Sequence, residues 1–138
     1  MKYFSTRNSN EKVSASWAIS HGLAPDGGLY VPESLPQFSL DDIINLGKSD
    51  YRGRAFGIMK PFLDEFTEDE LKAMILRAYG DNFDSADTAP VHFLDEKTAV
   101  LELWHGPTCA FKDMALQMLP HLLTASLKKC GEQRKACI

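Results

Sequence analysis

The 138-residue sequence has few cysteines and no cysteine pair spaced to bind a metal. Its three cysteines, Cys109, Cys130 and Cys137, are odd in number and form no Cys-x-x-Cys motif. This pattern argues against a disulfide framework and indicates reduced thiols, as in a cytoplasmic protein. The four histidines show no metal-ligand spacing on one helix face, so we expect no metal site.

The sequence also lacks a basic stripe, a membrane-length apolar run and a signal-peptide core. Its 15 basic and 19 acidic residues give a net charge of −4, with both signs mixed along the chain. We therefore expect neither nucleic acid nor a membrane as a partner. The first eight residues lack the apolar core of a signal peptide, which favours a cytoplasmic location. An apolar fraction of 44% indicates a folded protein.

The first third of the chain predicts a helix, a tight turn and a short strand. The helix is expected from about Glu11 to His21, where Gly22 can end it. Residues 24–28 (APDGG) form the turn, because proline fixes one φ and glycine tolerates positive φ. Residues 29–31 are extended and stop at Pro32.

Three helix-start signals follow between residues 39 and 80. Ser39 and Asp50 are typical N-caps, and Thr67 with Glu70 forms a capping box. The last of these helices has apolar residues at i, i+3, i+4, i+7 and i+8, and Gly80 closes it. The segment therefore predicts a series of short helices.

The second half predicts a hairpin followed by a long helix. Residues 91–94 and 98–104 are rich in strand-forming residues and are separated by the short loop 95–97. The polar connection 81–90 before them is the best internal boundary, which predicts one domain over 1–90 and the start of another over 91–138. The predicted fold class is α+β, with several short helices and a small hairpin or sheet.

The final predicted helix runs from about Lys112 to Lys129, and Pro120 should bend it or divide it into two segments. Residues 134–138 (RKACI) resemble the first steps of an apolar strand. From this we expect a truncated chain or fragment of a larger protein. Its last helix should then leave an apolar face exposed, which favours self-association or disorder.

Lys112 is the strongest candidate for a chemically reactive residue, because it follows a Gly-Pro break at the entrance to an apolar, helix-like run. A desolvated lysine loses its proton more readily and can form a Schiff base with a carbonyl. In the other interpretation, Lys112 is a surface lysine. Asp113 would then simply favour a helix N-terminus, and Thr108 would be an N-cap. The pattern alone leaves both open.

Four blocks of the sequence together resemble the threonine synthase family. They are residues 3–7 (YFSTR), 22–32 (GLAPDGGLYVP), 103–108 (LWHGPT) and 110–113 (AFKD), and their order and spacing match the start of that family. The resemblance covers essentially the whole chain. Cys109 departs from it, since an aliphatic residue is common at this position.

The resemblance implies that Lys112 is catalytic and binds the cofactor pyridoxal 5′-phosphate as a Schiff base. The parent would be a larger α/β enzyme that converts O-phospho-L-homoserine and water to L-threonine and phosphate. Gly106, Pro107 and Phe111 would form the wall beside the Lys112 amine. The family's Ser-Gly-Asp-Thr-Gly-type segment and phosphate cup are missing, so the 138 residues alone should be inactive and without cofactor.

Several alternatives stay open. Arg7 could bind a substrate phosphate or could form a structural salt bridge. The turn at Asp26 is expected to be structural, with a contact to the active site as the alternative. For the whole protein, the other candidates are a threonine synthase-like phospholyase and a stand-alone helical interaction domain in which Lys112 is a surface residue.

Overall fold

Two small antiparallel sheets and six helices make up the part of the chain that the computed structural model describes, residues 1–133. The strand predicted over 134–138 lies outside these residues. In chain order the elements are β1 (Tyr3–Ser5), β2 (Asn8–Val13), α1 (Ala15–His21), β3 (Tyr30–Pro32), α2 (Leu40–Gly47), α3 (Tyr51–Met59), α4 (Glu68–Ala78), β4 (Val91–Phe93), β5 (Ala99–Leu101), α5 (Asp113–Leu116) and α6 (Leu119–Lys129). The predicted α+β class is confirmed.

The first sheet has the strand order β2-β1-β3, with β1 in the centre. Tyr3 pairs with Val13 on one side and with Pro32 on the other. The predicted start of the first helix at Glu11 is therefore wrong, because this stretch pairs with β1 as an edge strand. The helix begins at Ala15, where the Ser14 side chain accepts a hydrogen bond from the Trp17 N–H at 3.2 Å.

The three predicted helix starts between residues 39 and 67 are confirmed. Ser39, Asp50 and Thr67 each accept a hydrogen bond from a backbone N–H three residues further along the chain. Asp42 and Glu70 complete capping boxes by accepting from the backbone N–H of Ser39 and Thr67. These side chains satisfy N–H groups that would otherwise have no intrahelical partner.

Removing the Thr67 cap should destabilise α4. The hydroxyl accepts from the Glu70 N–H at 3.1 Å, and alanine offers no acceptor. We expect Thr67→Ala to lower the free energy of unfolding by about 1 kcal/mol. Thr67→Ser keeps the hydroxyl acceptor and should retain most of this stabilisation. Urea denaturation followed by circular dichroism measures the difference. Equal stability of the alanine variant and the parent would contradict a role for the cap.

The apolar core is built around α4. Leu71, Met74, Ile75 and Ala78 are buried along one face of this helix, as its periodicity predicts. The other buried members come from several parts of the chain: Ala15, Leu63, Phe66, Tyr79, Phe83 and Met118. The core therefore includes residues from both sides of residue 90, and the division at that position stays a prediction.

The long helix predicted over 112–129 is divided into two segments, one of the two outcomes predicted from Pro120. The break lies at Gln117 and Met118, ahead of Pro120, which occupies the first turn of α6. Proline is tolerated there because first-turn N–H groups have no intrahelical partner. The second segment packs against α1.

The longest helices hold 11 residues, too few for any helix within residues 1–133 to cross a bilayer.

The predicted hairpin is present with shorter strands. Val91 pairs with Leu101 and Phe93 with Ala99. The turn is closed by the Asp95 carboxylate, which accepts from the N–H groups of Lys97 and Thr98 at 2.8 and 2.9 Å.

Candidate functional site

Lys112 lies at the N-terminal boundary of α5, immediately after an irregular loop. Its backbone is helical, and its carbonyl accepts from the N–H groups of Ala115 and Leu116. The side chain is exposed, as is Phe111 beside it at 65%. Within residues 1–133 the Lys112 amine has no hydrogen bond or ion pair, and this part of the chain does not bury it. The apolar surroundings expected from the sequence are therefore not provided by the described residues.

Asp113 differs most from its sequence-based interpretation. It is fully buried, and its carboxylate accepts from the Thr108 N–H at 2.8 Å and the Thr108 hydroxyl at 2.9 Å. The predicted N-cap role of Thr108 is wrong, since Thr108 is a donor to Asp113 and no side chain caps α5. The aspartate binds the preceding loop as well as beginning a helix. A threonine directly after the Gly-Pro break and an aspartate five residues further on were the available signal.

His105 joins two acidic side chains just ahead of the same loop. Its Nδ1 lies 2.5 Å from Asp84 Oδ1, and its Nε2 lies 2.7 Å from Glu102 Oε2. The hydrogen bond to Glu102, followed by that to Asp84, raises the pKa of His105 above its usual value. No group of His, Cys, Asp and Glu within residues 1–133 has a geometry that could hold a metal ion. The two hydrogen bonds of His105 instead connect Asp84, in the 81–90 segment, to Glu102 at the end of the hairpin.

This arrangement predicts that stability depends on pH through His105. A raised pKa in the folded state means that folding favours the charged imidazolium. Its contribution is fully present below the unfolded pKa of about 6.5 and is lost as pH rises through the higher folded pKa. In urea denaturation at a series of pH values, His105→Gln should remove this component. The control is His92→Gln, on the exposed strand β4, and an unchanged pH profile in His105→Gln would refute the prediction.

The N-terminal Ser-Thr-Arg block and the Asp-Gly-Gly turn form one cluster. Asp26 Oδ1 accepts from the Ser5 hydroxyl at 2.7 Å and from the Gly28 N–H at 2.8 Å, and these bonds lower the pKa of Asp26. Arg7 Nη1 donates to the Asp26 carbonyl at 2.9 Å. A Cβ on Gly28 would lie 2.1 Å from Ser5 Oγ, so the close approach requires glycine. Arg7 therefore makes a structural contact, although within residues 1–133 it is a hydrogen bond to a carbonyl and not the expected salt bridge. A substrate contact of Arg7 or of the turn stays a prediction.

Comparison with known proteins agrees with the sequence blocks. The family described as "Threonine synthase N terminus" matches residues 2–79. Threonine synthases of Pseudomonas aeruginosa and Methylobacillus glycogenes are 42% and 39% identical over 96% of this chain, which covers 28% and 30% of those proteins. A PLP-bound threonine synthase from Brucella melitensis superimposes with a TM-score of 0.89 at 39% identity, over 96% of this chain and 28% of that one.

The fold and the loop before Lys112 define an α+β segment of the kind that begins a longer protein in these relatives. The chain belongs to the threonine synthase family. It spans about 30% of the length of the relatives it matches. The predicted family is thereby confirmed.

Proposed function

We propose that this chain supplies the cofactor-bearing lysine of a pyridoxal-phosphate-dependent lyase. The reaction is that of the family, in which O-phospho-L-homoserine and water give L-threonine and inorganic phosphate. The observation that carries the proposal is family membership combined with the position of Lys112. It lies within the block 110–113, shortly after the block 103–108 that also resembles the family, and its amine is exposed without a partner in the described part of the chain.

The Lys112 amine fits the chemistry that the cofactor requires of the protein. A primary amine is the group that forms a Schiff base with an aldehyde, and an ion-paired or hydrogen-bonded ammonium would first have to be released. Lys112 has no such partner within residues 1–133. When bound, pyridoxal phosphate supplies an electron sink for carbanion character on the substrate.

Lys112 would have two roles. Its Nζ would hold the cofactor covalently, and when not so bound it would be a free base that can accept and return protons. Loss of phosphate and a proton followed by gain of water accounts for every atom of the overall reaction. Gly106, Pro107 and Phe111 would shape the wall beside Nζ. Residues 1–133 leave Lys112 exposed, so the shielding from water that such chemistry favours must come from outside them.

The test compares the 138-residue chain with the longest protein that its gene encodes, which is called here the longest product of the reading frame or the longer product. With pyridoxal phosphate and O-phosphohomoserine, the longer product should release phosphate and threonine in equal amounts. The 138-residue chain should release phosphate only at the background rate, because Lys112 there lacks preorganised donors. Comparable rates from both would contradict that expectation.

Product analysis separates the remaining candidates. Phosphate without threonine would indicate a threonine synthase-like phospholyase. If the longer product gives neither phosphate nor Schiff-base absorption, the proposed function is wrong.

Self-association also stays a prediction. Its basis is a set of exposed apolar side chains in the second half of the described chain: Val91, Phe93, Leu94, Leu101, Trp104, Phe111, Leu116 and Leu119.

A further inference from the structure

The feature that carries a further inference is the buried carboxylate next to Lys112. Asp113 is 0% exposed, and a carboxylate removed from water must find donors or lose its charge. Both oxygens lie 2.9 Å from the Thr108 hydroxyl, one of them also accepts from the Thr108 N–H, and Gln117 Nε2 is 3.5 Å from the other. Among the described residues no cation forms an ion pair with it. Its partners therefore come from the loop and from α5's own C-terminal side.

The backbone of loop residues 106–109 lies directly against the Asp113 carboxyl group. A Cβ on Gly106 would lie 2.5 Å from both Asp113 Cβ and Oδ2. Gly106 is itself buried, and its carbonyl accepts from the Cys109 N–H at 3.0 Å. Residues 106–109 are thus folded back onto Asp113, and only glycine allows the contact.

The same network continues to the end of α4. Gln117 Oε1 accepts from Asn82 Nδ2 at 2.9 Å, and that amide also donates to the Ala78 carbonyl at 3.1 Å. Asn82 Oδ1 accepts from the Gly80 N–H at 3.0 Å. Hydrogen bonds therefore connect the most buried helix, through Asn82, Gln117 and Asp113, to Thr108. The loop before Lys112 is attached to the core of the fold.

We infer that Asp113 is a positioning residue that sets the direction of the Lys112 side chain by holding Thr108. The inference rests on the proposed function of Lys112. The Lys112 amine makes no contact of its own to fix its direction within residues 1–133, so its backbone must do so. That backbone lies between Thr108 and Asp113, whose side-chain bond closes the loop around it. Misplacing a reacting group by about 1 Å can cost a hundredfold in rate.

The test uses the longest product of the reading frame with a matched pair of variants. Thr108→Val removes the hydroxyl donor, and Thr108→Ser keeps it. We expect Thr108→Val to lower kcat by about ten- to a hundredfold with KM changed less than about twofold, and Thr108→Ser to retain the parent kcat. Schiff-base absorption during titration with pyridoxal phosphate should show weaker cofactor binding in Thr108→Val alone. Asp113→Asn should behave as Thr108→Val does.

Each outcome has a distinct meaning. If Thr108→Val keeps the parent kcat and cofactor affinity, or if both Thr108 variants lose them equally, the positioning role is wrong and the function of Lys112 stands. A loss that only follows the unfolded fraction, measured by circular dichroism, also overturns it. If Asp113→Asn does not fold, the Thr108 pair decides. If the parent protein shows no Schiff-base absorption, the proposed function fails first.

Discussion

Replacing Lys112 by alanine is expected to abolish both cofactor attachment and turnover in the longest product of the reading frame. The methyl group can neither form a Schiff base nor carry a proton. Loss of the proton-transfer role alone typically costs about 10²–10⁴-fold in rate, and loss of the covalent attachment adds to it. The measurements are absorption after addition of pyridoxal phosphate and phosphate release from O-phosphohomoserine.

Two controls make the Lys112 result specific. Lys112→Arg keeps a positive charge at the same place but offers no primary amine, so it should fail as alanine does. Lys128→Ala removes an exposed lysine from the end of α6 and should leave absorption and turnover unchanged. Turnover within about tenfold of the parent in Lys112→Ala would show that another group performs the chemistry. Because Lys112 is exposed within residues 1–133 and makes no hydrogen bond there, its replacement should leave the folding of this segment unaffected.

The helices of the middle segment could be predicted because their signals are local. Ser39, Asp50 and Thr67 each bond to an N–H three residues away, so the sequence contains both partners of each interaction. The edge strand β2 could not be predicted in this way. Lys12 is in a strand because it pairs with Phe4 across a turn, and a pattern within residues 11–21 cannot reveal that pairing.

The sequence offers one candidate site residue but not the residues that support it. Lys112 is that candidate because the blocks around it resemble a family, and its role stays a proposal. The burial of Asp113 depends on Gly106 and Thr108 folding back onto it, and on Asn82 approaching from the end of α4. Such contacts are set by tertiary structure, so neither helix periodicity nor capping rules indicate them.

The largest stability effect is expected at Leu71, whose side chain is fully buried at the start of α4. Alanine there would remove the Cγ methine and both methyl groups of a buried side chain and leave a cavity among its core neighbours. We expect Leu71→Ala to lower the free energy of unfolding by about 2–5 kcal/mol. Because domains of this size are stable by about 5–15 kcal/mol, that loss is a large fraction of the whole.

The same helix provides the control for Leu71. Leu76 is 56% exposed, so Leu76→Ala changes helix propensity and composition equally but creates no internal cavity. It should alter the free energy of unfolding by less than about 0.5 kcal/mol. Leu71→Val, which keeps most of the volume, gives a measurable intermediate if the alanine variant does not fold. Similar urea midpoints for Leu71→Ala and Leu76→Ala would mean that the α4 face is not the centre of the core.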